Sequence, residues 1–283
     1  MSSYINHTLM LLEDIGLKVR YPLIHHVDLD DDGGCNITVS FSCVEGNRVS
    51  IEQNPLLKLM NLFSLLDFFI DQKHPHLAGR SFYSKYKGLP RDDDYDIALK
   101  EIFRIAKVMR NALVHNSSAI SFNSNGLNIE YKFRDTDFKI DLSHEALEYF
   151  YTAIVMYVKA DLGQGEYFLG IMRGLYKDII LGINTFCDEF GTKLHELSNG
   201  LVLLRYSRDV VRVNTYNHKR DKLYFPNYQS DFPKWRGADL LVNHNENMLL
   251  IPIEALDDEF SIEEVVAIRC WKAENPFPPL KTF

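Results

Sequence analysis

The chain lacks most of the patterns that declare a function at the sequence level. Its 283 residues include four cysteines, Cys35, Cys43, Cys187 and Cys270. No two of them form a C-x-x-C pair, so neither a zinc site nor a thioredoxin motif is indicated. Scattered thiols without a framework fit a reducing cytosol and exclude a disulfide-stapled scaffold. There is no glycine-rich phosphate loop, no G-x-S-x-G and no H-E-x-x-H, so a small-molecule enzyme has no motif to rest on. Long uncharged apolar runs are missing too. The longest apolar stretch in a helical pattern, 167–190, is interrupted by Arg173, Lys177, Asp178 and Asp188 and does not read as a membrane span. The first 19 residues carry Glu13 and Asp14 inside their apolar run and have no basic start, unlike a signal peptide. Basic residues are in deficit: 31 Lys and Arg against 39 Asp and Glu, a formal charge of −8. That argues against a protein that coats DNA through bulk positive charge, but leaves room for a local basic site. We expect a cytoplasmic protein with no membrane association.

What is present is an ordinary globular composition, 46% apolar and 25% charged, in a chain long enough for about two domains. Residues 1–19 read as a short amphipathic helix ended by Tyr21-Pro22, and 36–42 alternate as a strand that 48–52 can pair with. Pro55 opens a helix to about Gln72, with Leu56, Leu59, Met60, Phe63, Leu66 and Phe69 at helical spacing. Residues 73–94 read as a loop ending in the acidic triplet Asp92-Asp93-Asp94, which suits a helix start. A second helix follows from about Tyr95 to Asn116. Asn125-Gly126 lies between alternating segments within 119–142 and signals a hairpin. Ser143 caps a helix to about Ala160, and a further helix is expected from Gly165 to Phe190, closed by Gly191. Beyond about Thr192 the pattern turns strand-like, with a short helix expected inside 257–271. The fold class expected is α+β, mainly α. It comprises residues 1–54 as an N-terminal helix and short strands, 55–191 as an up-and-down helical bundle with an inserted β-hairpin or small sheet, and 192–283 as a mixed or β-rich C-terminal unit.

The chemistry-bearing residues sit at the end of the second helix, in Val108-Met109-Arg110-Asn111-Ala112-Leu113-Val114-His115-Asn116. At about 100° per residue, Ala98, Ile102, Ile105, Met109, Ala112 and Leu113 share the core face, while Lys107, Arg110 and His115 project elsewhere. Asn111 and His115 are four apart, close enough for the amide to orient the ring. Arg110 and His115 diverge by about 140°, so one helix does not converge them. Val114 and Phe103 fall on a face that should be wet, which suggests a covering partner, and a second copy in a two-fold dimer would bring two arginines and two histidines together. A pair of histidines can serve as base and acid near neutral pH, and arginine's fork can hold phosphate oxygens, which is what RNA cleavage without metal requires. The spacing alone is cheap. Arg20 with His25 or His26 and Arg212 with His218 are similar, but only Arg110 and His115 lie on a strong amphipathic helix with asparagine after the arginine. The plain alternative is a polar helix end, where Arg and His favour the dipole and the free carbonyls.

The stretch Ser81-Phe82-Tyr83, Gly88-Leu89-Pro90, a helix, then Arg110-Asn111-Ala112-Leu113-Val114-His115 resembles the HEPN superfamily (higher eukaryotes and prokaryotes nucleotide-binding). In particular it is similar to the HEPN proteins of bacterial plasmids and of defence or toxin–antitoxin loci. The similarity covers roughly residues 55–191. It implies a helical bundle, a dimer that forms a composite site, and often a metal-independent endoribonuclease with Arg110, Asn111 and His115 as its catalytic residues. An antitoxin or other protein partner would fit such a locus, and a non-catalytic binding module is the alternative within the family. No cofactor and no metal are expected.

Further RNA contacts are sought where bases and aromatics interleave. The segment 80–87 offers Lys85 and Lys87, although Phe82 and Tyr83 can equally plug the loop onto the bundle while the lysines are solvated. From Ile102 to Ile129 there is no Asp or Glu, and Arg104 and Lys107 join Arg110 and His115 in that window. A second basic region, Arg205, Arg208, Arg212, Lys219, Arg220 and Lys222, reads as an extended footprint or as protected strand edges. His74 and His76 flank a proline, but no third ligand accompanies them.

Overall fold

Proline at 55 has no amide hydrogen to lose in a first turn, and the apolar spacing behind it continues for five turns, so helix α1 runs Pro55–Lys73. The computed structural model describes Leu12 and residues 23–29, 35–40, 55–115, 117–159, 165–203, 207–228 and 237–273. The expected helix over 1–19 and the strand over 48–52 lie outside the described residues, apart from Leu12, which is helical and buried. The other helices are α2 Phe82–Gly88, α3 Asp94–His115, α4 His144–Lys159, α5 Glu166–Leu181 and α6 Glu264–Trp271. None of them is long and apolar enough to cross a membrane. The chain is of the mixed α+β class and divides into two units. Unit 1 holds 1–20, 43–160 and 175–199; unit 2 holds 21–42, 161–174 and 200–283.

In unit 1, α1 packs against α3 and α4. Leu59, Phe63, Leu66 and Phe69 of α1 and Ile102, Ile105 and Met109 of α3 are buried as the helical spacing predicts, whereas Met60, expected on the same face of α1, is 42% exposed. Leu62, Leu65 and Ile70 of α1 and Phe150, Ile154 and Tyr157 of α4 complete the core. Beside them lies an antiparallel sheet, β3 Ile120–Asn123, β4 Gly126–Phe133, β5 Thr136–Ser143 and β6 Ile183–Cys187, in that order. The expected hairpin forms. The Asn123 side chain accepts from the amides of Asn125 and Gly126 at 2.8 and 3.2 Å, and Gly126 takes a φ of 138° that a side chain would disfavour. Ser143 caps α4 by accepting from the Ala146 amide at 3.2 Å.

Two expectations fail in this unit. The helix placed over 165–190 ends at Leu181, and 183–187 is strand β6. Gly182 makes the switch, because a Cβ there would sit 2.3 Å from the Ala146 Cβ and 2.6 Å from the Ser143 Oγ. The segment read as a loop over 73–94 contains α2, whose first turn is capped by Ser81 accepting from the Ser84 amide. Seven residues are too few to display a helical period.

In unit 2 a five-stranded sheet has the order β11-β10-β7-β1-β2. Its strands are β1 Leu23–Leu29, β2 Cys35–Ser40, β7 Ser207–Val213, β10 Ala238–His244 and β11 Asn247–Pro252. Strand β7 is parallel to both β1 and β10, and the other pairings are antiparallel. A second sheet joins β8 Asn217–Lys219, β9 Lys222–Tyr224 and β12 Ser261–Glu263. Val211, Leu240, Val242, Leu249, Ile251, Phe225, Ala267 and Trp271 form the core. Residues 23–40 therefore belong with the C-terminal strands, not with a separate N-terminal segment 1–54, because β1 completes the hydrogen bonding of β7.

Candidate functional site

Helix α3 carries the motif, and its start is set by acid. Asp93 accepts from the Asp96 amide at 2.9 Å, and Asp94 accepts from the amide and hydroxyl of Ser198 at 2.8 and 2.6 Å. The acidic triplet is thus a helix cap, as expected. One turn further on, Glu101, Arg104 and Lys107 follow at three-residue intervals, and all three are buried. Strand β6 and the residues after it meet them. The Arg104 fork donates to both Asp188 oxygens at 2.5 and 3.0 Å, to Glu101 at 3.3 Å, and to the carbonyls of Gly191 and Lys193 at 2.9 and 2.8 Å. Lys107 donates to Glu189 at 2.5 Å and Asp188 at 3.3 Å. Glu101 accepts from the Tyr86 hydroxyl at 3.0 Å and lies 3.0 Å from the Nδ1 of His195. Burial, and then the Glu101 charge, push the Tyr86 hydroxyl up to about 12, so it stays a proton donor.

This network corrects part of the sequence reading. Arg104 and Lys107, taken as RNA contacts, have side chains 1% exposed and spend their donors inside the fold. Lys85 is likewise 3% exposed and paired with Asp67 and Asp71 at 2.6 Å each. A buried, neutralised cation offers nothing to a phosphate. Of the four expected contacts only Lys87 is exposed; its ammonium lies 5.0 Å from the ring of Tyr83, which is exposed too.

The motif itself lies at the C-terminal end of α3. Arg110 is half-buried, with its guanidinium 4.9 Å from the centroid of the Phe82 ring and one donor 3.3 Å from the Asn111 Oδ1. Among the described residues no carboxylate lies at ion-pair distance from it, although its charge acts on the nearby Asp67 carboxyl, which is paired with Lys85. Asn111 is thus engaged by Arg110 and forms no hydrogen bond with His115, the orienting contact expected from the spacing. His115, the last residue of the helix, is exposed, and Val114 beside it is 42% exposed. Phe103, expected on the same wet face, is fully buried by this chain's own Phe63 and Phe82, at centroid separations of 6.0 and 6.4 Å. One of the two apolar side chains that suggested a covering partner is therefore covered within the chain.

Unit 2 holds a constellation that sequence reasoning passed over. His218, His244 and Glu264 place their donor atoms within 4.8 Å of one another. His218 appeared in the sequence only as the partner of a decoy arginine. The three lie 26 and 20 residues apart in the chain with no ligand-type spacing. The one available hint is that His244 precedes a turn-forming Asn245. No protein-family model matches the chain, and no curated protein and no solved structure matches it.

Proposed function

We propose that the chain is an endoribonuclease of the HEPN type that cleaves RNA without metal at a site composed by two copies of α3. The observation that carries this is the sorting of cations along α3. Arg104 and Lys107 are neutralised in the interior, whereas Arg110 rests on an aromatic ring with no carboxylate at ion-pair distance among the described residues, its neighbour Asp67 being paired with Lys85. A guanidinium without a contacting carboxylate, on the same helix end as an exposed histidine, is suited to an anion from outside. Because Arg110 and His115 diverge by about 140° around the helix axis, each arginine would work with the histidine of the other copy. Val114, 42% exposed, would lie between them on the proposed contact face.

The chemistry then balances on side chains alone. One His115 takes the proton of a ribose 2′-hydroxyl as that oxygen bonds to phosphorus. The phosphorus–5′-oxygen bond breaks, and the second His115 protonates the departing oxygen, leaving a 2′,3′-cyclic phosphate and a 5′-hydroxyl. Arg110 steadies the charge on the phosphoryl oxygens. Growth arrest on expression, as expected of a toxin or defence effector, would follow from this activity.

The test is cleavage of RNA by the purified protein in EDTA. Activity is expected to be lost in Arg110→Ala and in His115→Ala, both partly or fully exposed positions whose replacement leaves the core intact. Equal cleavage by the double variant removes the site. A monomer by light scattering at micromolar concentration removes the composite arrangement. Intact RNA with all variants supports a non-catalytic binding module instead.

A further inference from the structure

We propose that His218, His244 and Glu264 form a binding site for a first-row divalent transition ion of the zinc class, in unit 2 and independent of the ribonuclease reading. Three separate elements deliver the three side chains. His218 is the middle residue of β8, His244 the last residue of β10, and Glu264 the first of α6. Local chain geometry fixes two of them. β8 and β9 are joined by Arg220-Asp221 and β10 and β11 by Asn245-Glu246, both two-residue turns with positive φ at both positions, so each histidine sits one or no residues from a tight hairpin end. The carbonyl of Asp221 accepts from the Glu264 amide at 2.8 Å, which ties the start of α6 to the β8–β9 turn.

The donor geometry suits one shared ion. The two carboxylate oxygens of Glu264 face different rings, Oε1 at 2.7 Å from the His244 Nε2 and Oε2 at 3.0 Å from the His218 Nε2. Bonds of about 2.0–2.2 Å to a tetrahedral ion set ligand atoms about 3.3–3.6 Å apart, so the Glu264 oxygens need to draw back from the rings by about 0.3–0.9 Å and the histidine donors, within 4.8 Å of one another, to close by at most about 1.5 Å. The pre-positioned partner of a metal-bound imidazole is already there. The Tyr216 hydroxyl lies 2.8 Å from the His244 Nδ1 and 3.2 Å from the Asn243 carbonyl. If that hydroxyl donates to the carbonyl, its oxygen accepts from Nδ1–H, which leaves the Nε2 lone pair directed at the site. The side-chain amide of Asn245, 3.0 Å from that Nε2 and 3.1 Å from Oε1, closes one flank. The cluster is buried at one end and exposed at the other: His244 is 4% exposed, Glu264 20% and His218 42%. An ion can enter from solvent and keep a water in its fourth position. Two imidazoles with one carboxylate suit zinc, iron or cobalt and not the oxygen-seeking magnesium or calcium.

Equilibrium dialysis or calorimetry of the full chain with Zn²⁺ tests this. One equivalent is expected to bind, with Mg²⁺ failing to compete. His218→Ala, at an exposed position, and Glu264→Gln, which keeps shape, are expected to remove that equivalent while the circular dichroism spectrum stays unchanged. Tyr216→Phe is expected to retain it with affinity about 10–100-fold lower. Absence of a zinc equivalent in the wild-type chain overturns the proposal, as does undiminished binding in His218→Ala and Glu264→Gln. The ribonuclease reading is unaffected by either result, since its cleavage is expected in EDTA.

Discussion

Replacing Asp188 by Asn isolates what the buried network on α3 contributes. Asp188 accepts from the Arg104 Nε at 3.0 Å and Nη2 at 2.5 Å, from Lys107 at 3.3 Å, and from the Phe190 amide at 2.9 Å. The amide keeps the volume but removes the charge, and it turns an N–H₂ toward one of two buried cations. Breaking such a network by removing one partner costs about 3–5 kcal/mol, because the cations stay desolvated without their counter-charge. That is a large share of the roughly 5–15 kcal/mol by which domains are stable. Urea unfolding followed by far-UV circular dichroism is the assay, with a lower midpoint and an unchanged slope expected. Glu130→Gln supplies the control: Glu130 pairs with Lys139 at 2.6 Å, but both side chains are largely exposed, and such a pair is worth about 0–1 kcal/mol. RNA binding separates the two roles for the cations. Were Arg104 and Lys107 contacts for phosphate, Asp188→Asn would free them and tighten binding; burial predicts no gain per folded molecule. A loss below about 1 kcal/mol, equal to the exposed control, would refute the reasoning.

Further consequences concern protonation and turn geometry. Burial, and then the Arg91 charge, lower Lys100 to about 8, while its ammonium donates to the Leu89 carbonyl. Between that value and the roughly 10.4 of an unfolded lysine, the unfolded chain holds the extra proton, so stability rises with pH from about 8 to 10. Urea midpoints should show this rise for the wild type and not for Lys100→Met; parallel curves rule it out. Arg134 and Asp135, with φ of 47° and 62°, form the two-residue turn between β4 and β5 without a glycine. Asp135→Gly should raise the thermal midpoint, a gain of at most about 1 kcal/mol, since relief of the left-handed conformation outweighs the looser unfolded chain. The exposed Lys132–Asp135 pair at 3.8 Å is too weak to offset it, and a lowered midpoint contradicts the account.

Local signals were the ones that could be read from the chain. Pro55 with its apolar spacing, the Asn125-Gly126 pair, the Ser143 cap and the acidic triplet 92–94 each act within a few residues, and each element formed where those signals placed it. Apart from α2, missed because seven residues show no period, the failures depend on partners distant in the chain. Helix α5 stops at Gly182 because the Ser143–Ala146 turn is pressed against it, and nothing between 165 and 190 announces that approach. Strand β1 is held by β7, with Val27 opposite Val211, so its place in a C-terminal sheet has no local trace. The His218, His244 and Glu264 cluster is assembled the same way, from three elements whose convergence depends on two hairpins and on the bond from the Glu264 amide to Asp221.

Charge shows the same limit most sharply. The acid-free window 102–129 suggested a basic surface because the chain was read along one dimension. In the fold its two interior cations meet Asp188 and Glu189, more than eighty residues away, so the window is neutralised by acids that lie outside it. Lys85 meets the same fate through Asp67 and Asp71. Of the site residues expected around the motif, those left for an anionic ligand are Arg110 on its aromatic support, His115 at the helix end, and Lys87 beside Tyr83. A chain of formal charge −8 has little long-range attraction for RNA to spend, so a footprint of so few cations per copy makes the second copy more important to the proposed reaction, not less. In the proposed dimer two copies would double the cations at one place and would supply the opposed histidines that a single helix keeps about 140° from its own arginine.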